Sequence, residues 1–180
     1  MVVSSDIAPD GLDLVIDFVN TFEVEKGVDE LETPAGLAAW LRARGLWQGP
    51  VRPAHLEQAT RLREALRALM AAHNGMPSDP HAGDELEAVA ARGRLTVSFG
   101  SDGAPQFVAR DPGLAGALAR LLIPVVQSAA DGSWTRVKAC RADACRWAFY
   151  DQSRNRSGVW CDMAVCGNRT KVRAYRERLS

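Results

Sequence analysis

The sequence predicts an α+β protein: a mostly helical N-terminal domain with a β-hairpin, followed by a small C-terminal four-cysteine finger that ends in a helix. Three observations carry this. Before the cysteines, apolar residues recur mainly at intervals of three and four, the period of helices that bury one face. Two alternating runs, 95–99 (Leu-Thr-Val-Ser-Phe) and 106–109 (Gln-Phe-Val-Ala), flank a Gly-containing turn, the pattern of a hairpin. All four cysteines fall in the last third as two pairs, Cys140/Cys145 and Cys161/Cys166, each enclosing four residues and separated by fifteen.

In chain order, Leu12, Val15, Ile16, Val19 and Phe22 predict an amphipathic helix over 11–22. Val15-Ile16 and Phe18-Val19 also fit a strand, and the period does not decide. An acidic loop follows to Thr33, where Thr33-Pro34 has the form of an N-cap with proline at the first helical position. That helix carries Leu37, Trp40 and Leu41 on one face and stops near Gly45. A long helix from Pro53 to about His73 places Leu56, Ala59, Leu62, Leu66, Leu69 and Met70 on a stripe, with Arg61, Arg63, Glu64 and Arg67 mostly off it. Leu86, Val89 and Ala90 suggest a short helix closed at Gly93, before the hairpin. Asp111-Pro112 caps a further helix to about Ala130, broken by Asp131-Gly132, and 134–139 forms a strand into the first cysteine pair.

Two short loops that each present two sulfurs are the arithmetic of one tetrahedral zinc site, with Cys140, Cys145, Cys161 and Cys166 as ligands. Four thiolates leave no open coordination position, so one structural Zn2+ is expected, without catalysis at the metal. No basic segment leads into an apolar run at the N-terminus, and no stretch approaches eighteen uninterrupted apolar residues. The expectation is a cytoplasmic protein with no membrane partner, in a compartment that favours thiols over disulfides.

The formal charge is zero, but it is divided unevenly. Residues 136–180 hold eleven Lys/Arg against four Asp/Glu, a net of +7, so residues 1–135 carry 11 against 18, a net of −7. A basic tail suggests an anion-binding module. It equally lets the halves attract each other, within one chain or between two copies as a homodimer. The division expected is 1–132 for the body and 133–180 for the finger.

Around the cysteines, Arg136-Val-Lys-Ala-Cys140, Cys145, Phe149-Tyr-Asp151, Ser153-Arg-Asn-Arg-Ser157, Trp160-Cys-Asp-Met163 and Cys166-Gly-Asn-Arg169 resemble the CGNR-type zinc finger. Leu14-Val-Ile-Asp-Phe-Val-Asn-Thr21, then Thr33-Pro34 and Trp40-Leu41, are similar to the ABATE domain, which commonly precedes that finger. The resemblance implies transcription regulation, with the finger on DNA and the body sensing a small molecule or mediating dimerisation.

The nucleic-acid candidates lie on and before the last helix, expected from Asp162 to Arg178. Arg169, Arg173 and Arg176 share one face at i, i+4 and i+7, Lys171 and Arg178 a flank, and Arg154 and Arg156 lie between the cysteine pairs. Arg169 also fits a structural role beside the Cys-Gly-Asn turn, and both readings stand. Val165, Val172, Tyr175 and Leu179 form a seam expected to pack on the cysteine loops, and Trp147, Phe149, Tyr150 and Trp160 a small finger core. Gly167 permits close backbone approach, and Asn168 is a donor to backbone or thiolate.

Asn20 and Thr21 interrupt an apolar segment. They fit a ligand pocket in the body, or helix termination, the reading favoured. His55, His73 and His81 read as isolated surface residues, Asp17, Glu23 and Glu25 as a solvated acidic face, and no nucleophile elbow or metalloprotease helix occurs. An enzyme is therefore not expected. The rivals to DNA binding are a protein- or RNA-interaction finger, or an enzyme body carried by a finger.

Overall fold

In the computed structural model, which describes Ala8 and residues 11–177, helix α1 (Leu12–Asn20) fully buries Leu12, Val15, Phe18 and Val19 as one stripe. The helix rather than the strand is realised there. It ends where the Thr21 hydroxyl donates back to the Phe18 carbonyl at 2.7 Å. The acidic stretch expected as a loop forms a two-residue hairpin, β1 (Phe22–Glu23) with β2 (Val28–Asp29). Strands that short give no alternation to read.

Helix α2 (Pro34–Ala43) starts as expected at Thr33, whose hydroxyl accepts the Gly36 N–H at 3.1 Å. Helix α3 (Pro53–Ala72) is the central strut and touches α1, α2, α4 (Ala82–Arg92) and the finger strand β5. Strands β3 (Leu95–Phe99) and β4 (Pro105–Ala109) form the expected antiparallel hairpin, with Val97 opposite Phe107.

The helix expected from Asp111 to Ala130 is two helices, α5 (Leu114–Arg120) and α6 (Leu122–Asp131). Pro124 has no N–H to offer the Arg120 carbonyl, so the ladder lapses at Leu121. Asp111 still caps α5, two residues early, accepting the Gly113 and Gly116 N–H groups at 2.9 and 3.3 Å. The 114–131 stretch is long and apolar enough, at mean hydropathy 1.3, to pass as a membrane span by length and composition; 56% of it is buried inside the protein.

Gly132, in the left-handed region at φ 77°, turns the chain into the finger. Of the strand expected over 134–139, Trp134–Arg136 is a single 3-10 turn and only β5 (Val137–Ala139) is extended. It pairs antiparallel with β6 (Ala148–Tyr150). The single helix expected from Asp162 instead opens with a wide π turn, Met163–Gly167, and continues as α7 (Asn168–Glu177). The Asp162 carboxylate accepts the Ala164 and Val165 N–H groups at 2.8 and 3.1 Å, which starts that turn. Arg178 and Leu179 lie outside the described residues.

One hydrophobic core runs through body and finger. Phe18, Leu37, Leu41, Leu62, Leu66, Met70 and Leu118 belong to the same cluster as Val137, Ala139 and Ala148. Each fully buried Leu or Phe contributes about 1.5–3 kcal/mol. Two arginines expected off the α3 stripe are nonetheless buried. Arg63, 3% exposed, forms two bonds to Asp29 at 2.7 and 2.9 Å. Arg67, 1% exposed, donates to the carbonyls of Val19 (2.6 Å), Phe22 (3.2 Å) and Arg146 (2.9 Å). These bonds tie α1, the first hairpin and the finger to α3.

Candidate metal centre and the adjoining groove

The β5–β6 hairpin presents Cys140 and Cys145, the π turn presents Cys166, and Cys161 stands just before that turn. Their four sulfurs lie within 4.8 Å of one another. Cys145 Sγ is 3.6 Å from Cys161 Sγ, which is 3.7 Å from Cys166 Sγ. Bonds of about 2.3 Å to one tetrahedral ion imply sulfur separations of about 3.8 Å, so the set fits one zinc.

The electrostatics agree. The thiols of Cys145 and Cys161 donate to Cys140 and hold it down to about 2, with backbone N–H groups of Cys161 and Ala142 adding to the effect. Cys145 and Cys161 are pushed up, chiefly by their bonds to Cys140. Burial first, then the neighbouring thiols, pushes Cys166 up to about 12. Four sulfurs this close become four thiolates only around a cation.

The loop between the cysteine pairs is built on a buried ion pair. Lys138 Nζ donates to Asp151 at 2.7 Å and to the carbonyls of Arg156 and Gly158 at 2.6 and 3.0 Å. Asp151 also accepts the Ser153 and Gly158 N–H groups, both at 2.9 Å. A Cβ on Gly158 would sit 2.6 Å from that carboxylate. Arg154 and Arg156 stand exposed on the resulting loop.

The finger is seated on the body by the polar side chains of Asn20, His73 and Asn74. Asn20 bonds both backbone groups of Ala148, at 2.9 and 2.8 Å. It is therefore not simply a helix terminator, whereas Thr21 is one and also accepts from Arg63 at 3.3 Å. Buried Asn74 donates to the carbonyls of Ala139 and Val159 at 2.8 and 2.9 Å, and its own carbonyl accepts from Arg141 Nη2 at 2.5 Å. His73, expected at the surface, is half-buried. It bonds the Val137 carbonyl at 2.9 Å and meets Trp134 edge-on at 5.2 Å. A polar residue just past a helix looks the same in sequence whether it caps that helix or reaches a neighbouring strand.

Other expectations are corrected. A Cβ on Gly167 would lie 2.4 Å from Met163 Sδ and 3.1 Å from Trp160 Cδ1, so the close approach is to those side chains. The Asn168 side chain is exposed at the start of α7 and makes no hydrogen bond among the described residues; the Thr170 hydroxyl instead donates to the Cys166 carbonyl at 2.9 Å. Val165, Val172 and Tyr175 do not pack on the cysteine loops but are 48%, 49% and 61% exposed. Trp147, Phe149, Tyr150 and Trp160 form no dry core. They are half-buried along a groove of about 850 Å³ whose opposite wall is α1 and the first hairpin. Helix α3 and its neighbours supply the buried surface the finger needs, which leaves these rings partly open.

Arg169 bonds Glu25 of the first hairpin at 2.5 Å. Arg173 lies 3.8 Å from Asp143 and 3.7 Å from Glu177, both exposed. Asp17 and Glu23 face Arg44 (3.5 Å) and Lys26 (2.9 Å). Lys171 and Arg176 are exposed on α7.

A search among curated proteins returned no match. The model of the CGNR zinc finger matches residues 136–179, and the model of the ABATE domain, described as "Putative stress-induced transcription regulator", matches residues 12–132. Because the second match alone covers about two thirds of its length, the chain belongs to the ABATE family, and it carries a CGNR zinc finger whose four cysteines fit one structural Zn2+.

Proposed function

We propose that the protein is a zinc-dependent DNA-binding transcription regulator, with residues 133–180 contacting DNA and residues 1–132 regulatory. The observation that carries this reading is the exposed basic helix α7, continuous with the turn that holds Cys166, while Arg154 and Arg156 stand exposed on the loop between the cysteine pairs. Arg169, Lys171, Arg173 and Arg176 supply the guanidinium and ammonium groups that phosphates and guanine edges accept. The ion pairs that Arg169 and Arg173 make with the body and finger are exposed and screened by solvent, so phosphates can replace them. Zinc orients the helix and does no chemistry, the body senses an effector or mediates dimerisation, and the cytoplasm keeps the thiols reduced. Both family descriptions are those of a regulator and a finger, neither of an enzyme.

A second reading, a protein-interaction finger, is favoured by the exposed Met163, Val165, Val172 and Tyr175. Selection of duplexes from a random DNA pool, with and without chelator, tests the first reading. About six phosphate contacts imply affinity falling roughly 10³-fold between about 50 and 200 mM salt, whereas an apolar interface responds little. Arg173→Ala with Arg176→Ala should lower the salt slope by about two. Binding that survives zinc removal, or a slope unchanged in that variant, refutes the proposed mechanism.

A further inference from the structure

We propose that the groove between α1, the first hairpin and the finger binds a small organic polycation, a flexible chain bearing several ammonium groups. The inference deepens the regulatory reading of the body and takes its purpose from it, but the binding itself involves no DNA.

At about 850 Å³ the groove is within the range that holds small ligands. Its walls differ in chemistry. On one, α1 contributes Asp13, Ile16, Asp17 and Asn20, the i, i+3, i+4, i+7 positions of a single helix face, and the first hairpin continues the line with Glu23, Glu25 and Glu30. At about 1.5 Å of rise per residue, Asp13 and Asp17 stand about 6 Å apart along the helix. Negative charge is thus strung along the wall rather than gathered around a point. A metal ion needs its ligands around one centre, and among the described residues only the four cysteines converge that way.

The opposite wall carries Trp147, Phe149, Tyr150 and Trp160, all half-buried, beside Cys145, Cys161 and Cys166; Arg136 already lies over the Tyr150 ring, 5.9 Å from its centroid, which leaves the other three rings for a ligand. Ring faces attract ammonium groups and pack well against methylene segments, while they offer an anion nothing. The two cationic side chains on the lining are already matched, Lys26 by Glu23 at 2.9 Å and Arg44 by Asp17 at 3.5 Å. Glu25 is held by Arg169, and Asp151 by Lys138. The Asp162 carboxylate is taken up by the Ala164 and Val165 N–H groups. Asp13, half-buried, and Glu30, exposed, remain, and neither side chain makes a hydrogen bond or ion pair among the described residues. Two unmatched carboxylates facing a row of rings select spaced positive charge joined by apolar chain. They offer inorganic phosphate only like charge.

The test is titration of the zinc-loaded full chain with the triamine spermidine, followed by calorimetry and by the fluorescence of Trp147 and Trp160. One saturable site is expected, and inorganic phosphate should leave the signal unchanged. Asp13→Asn with Glu30→Gln should weaken spermidine binding about tenfold or more, the two single variants falling between, with the melting temperature checked for each. Glu87→Gln, an exposed carboxylate on α4 outside the groove, should bind as the parent does. Absence of a saturable site overturns the proposal. So does unchanged affinity in the double variant, or an equal loss in Glu87→Gln, which would mean diffuse charge attraction. DNA binding is measured without spermidine, so failure of one reading is separable from failure of the other.

Discussion

The carboxamide of Asn20 pairs with the backbone of Ala148 in both directions, its Nδ2 donating to the carbonyl at 2.9 Å and its Oδ1 accepting the N–H at 2.8 Å. A side chain on the first helix thereby occupies the place of a third strand beside β6. Asn20→Ala leaves both backbone groups without that partner, at a cost of about 1–3 kcal/mol. For a chain of this size that lowers the melting temperature by roughly 2–4 °C per kcal/mol. Asn20→Asp keeps the acceptor but sets a carboxylate oxygen against the Ala148 carbonyl, so it should destabilise at least as much. An unchanged melting temperature in Asn20→Ala would show that the pairing contributes nothing net.

Lys138 and Asp151 are 6% and 2% exposed in their side chains, so neither charge survives alone. Asp151→Asn leaves the ammonium with two carbonyls and no counter-charge, a class of change that costs about 3–5 kcal/mol. The loop bearing Arg154 and Arg156 should open, which proteolysis between the cysteine pairs would detect. Resistance equal to that of the parent would show that the loop is held by other contacts.

Acid should destabilise the protein through three groups of the same sign. Burial pushes the carboxyls of Asp29 and Asp151 up, but the bonds from Arg63 and Lys138 prevail and hold both below the ordinary range. Burial lowers His73, against the Val137 carbonyl that raises it, and Lys138 lowers it further. In each case the unfolded chain binds the proton more readily. The stabilisation from His73 is complete above its ordinary value of about 6.5 and declines as pH falls below it. That from the carboxylates is complete above about 3.9 and declines as pH falls through their lowered values. Melting temperatures measured downward from pH 7 should fall, and His73→Gln should flatten the decline between about pH 6.5 and 5. A profile identical to the parent's would remove His73 from the balance.

Chelation should melt more than the finger. Val137, Ala139 and Ala148 share one buried cluster with Leu62, Leu66 and Met70 of α3. Loss of the ion, or Cys161→Ser, should lower the transition followed by helical circular dichroism together with that followed by the indole of Trp134. A body transition untouched by chelator would show that the two parts fold independently.

Chemistry-bearing residues were legible where spacing is the signal. Cys140, Cys145, Cys161 and Cys166 converge as their pairing requires, and Thr33-Pro34 starts a helix as written. What escaped was polar burial. Arg63, Arg67 and Asn74 carry residue types that favour solvent, and only their partners, Asp29, three backbone carbonyls, and the finger carbonyls of Ala139 and Val159, make burial favourable. Those partners are distant in sequence and invisible to any local period. The same blindness placed the rings of Trp147 and Trp160 in a core, since nothing nearby announces the wall that faces them across a groove.

Because the Asn74 amide at the end of α3 grips two finger carbonyls, those of Ala139 and Val159, the finger is a poor candidate for transplantation. Cut away as 136–180 and grafted onto a foreign carrier, it would bring its metal along but leave its footing behind. A useful chimera would have to take the tip of α3 and the outer face of α1 with it.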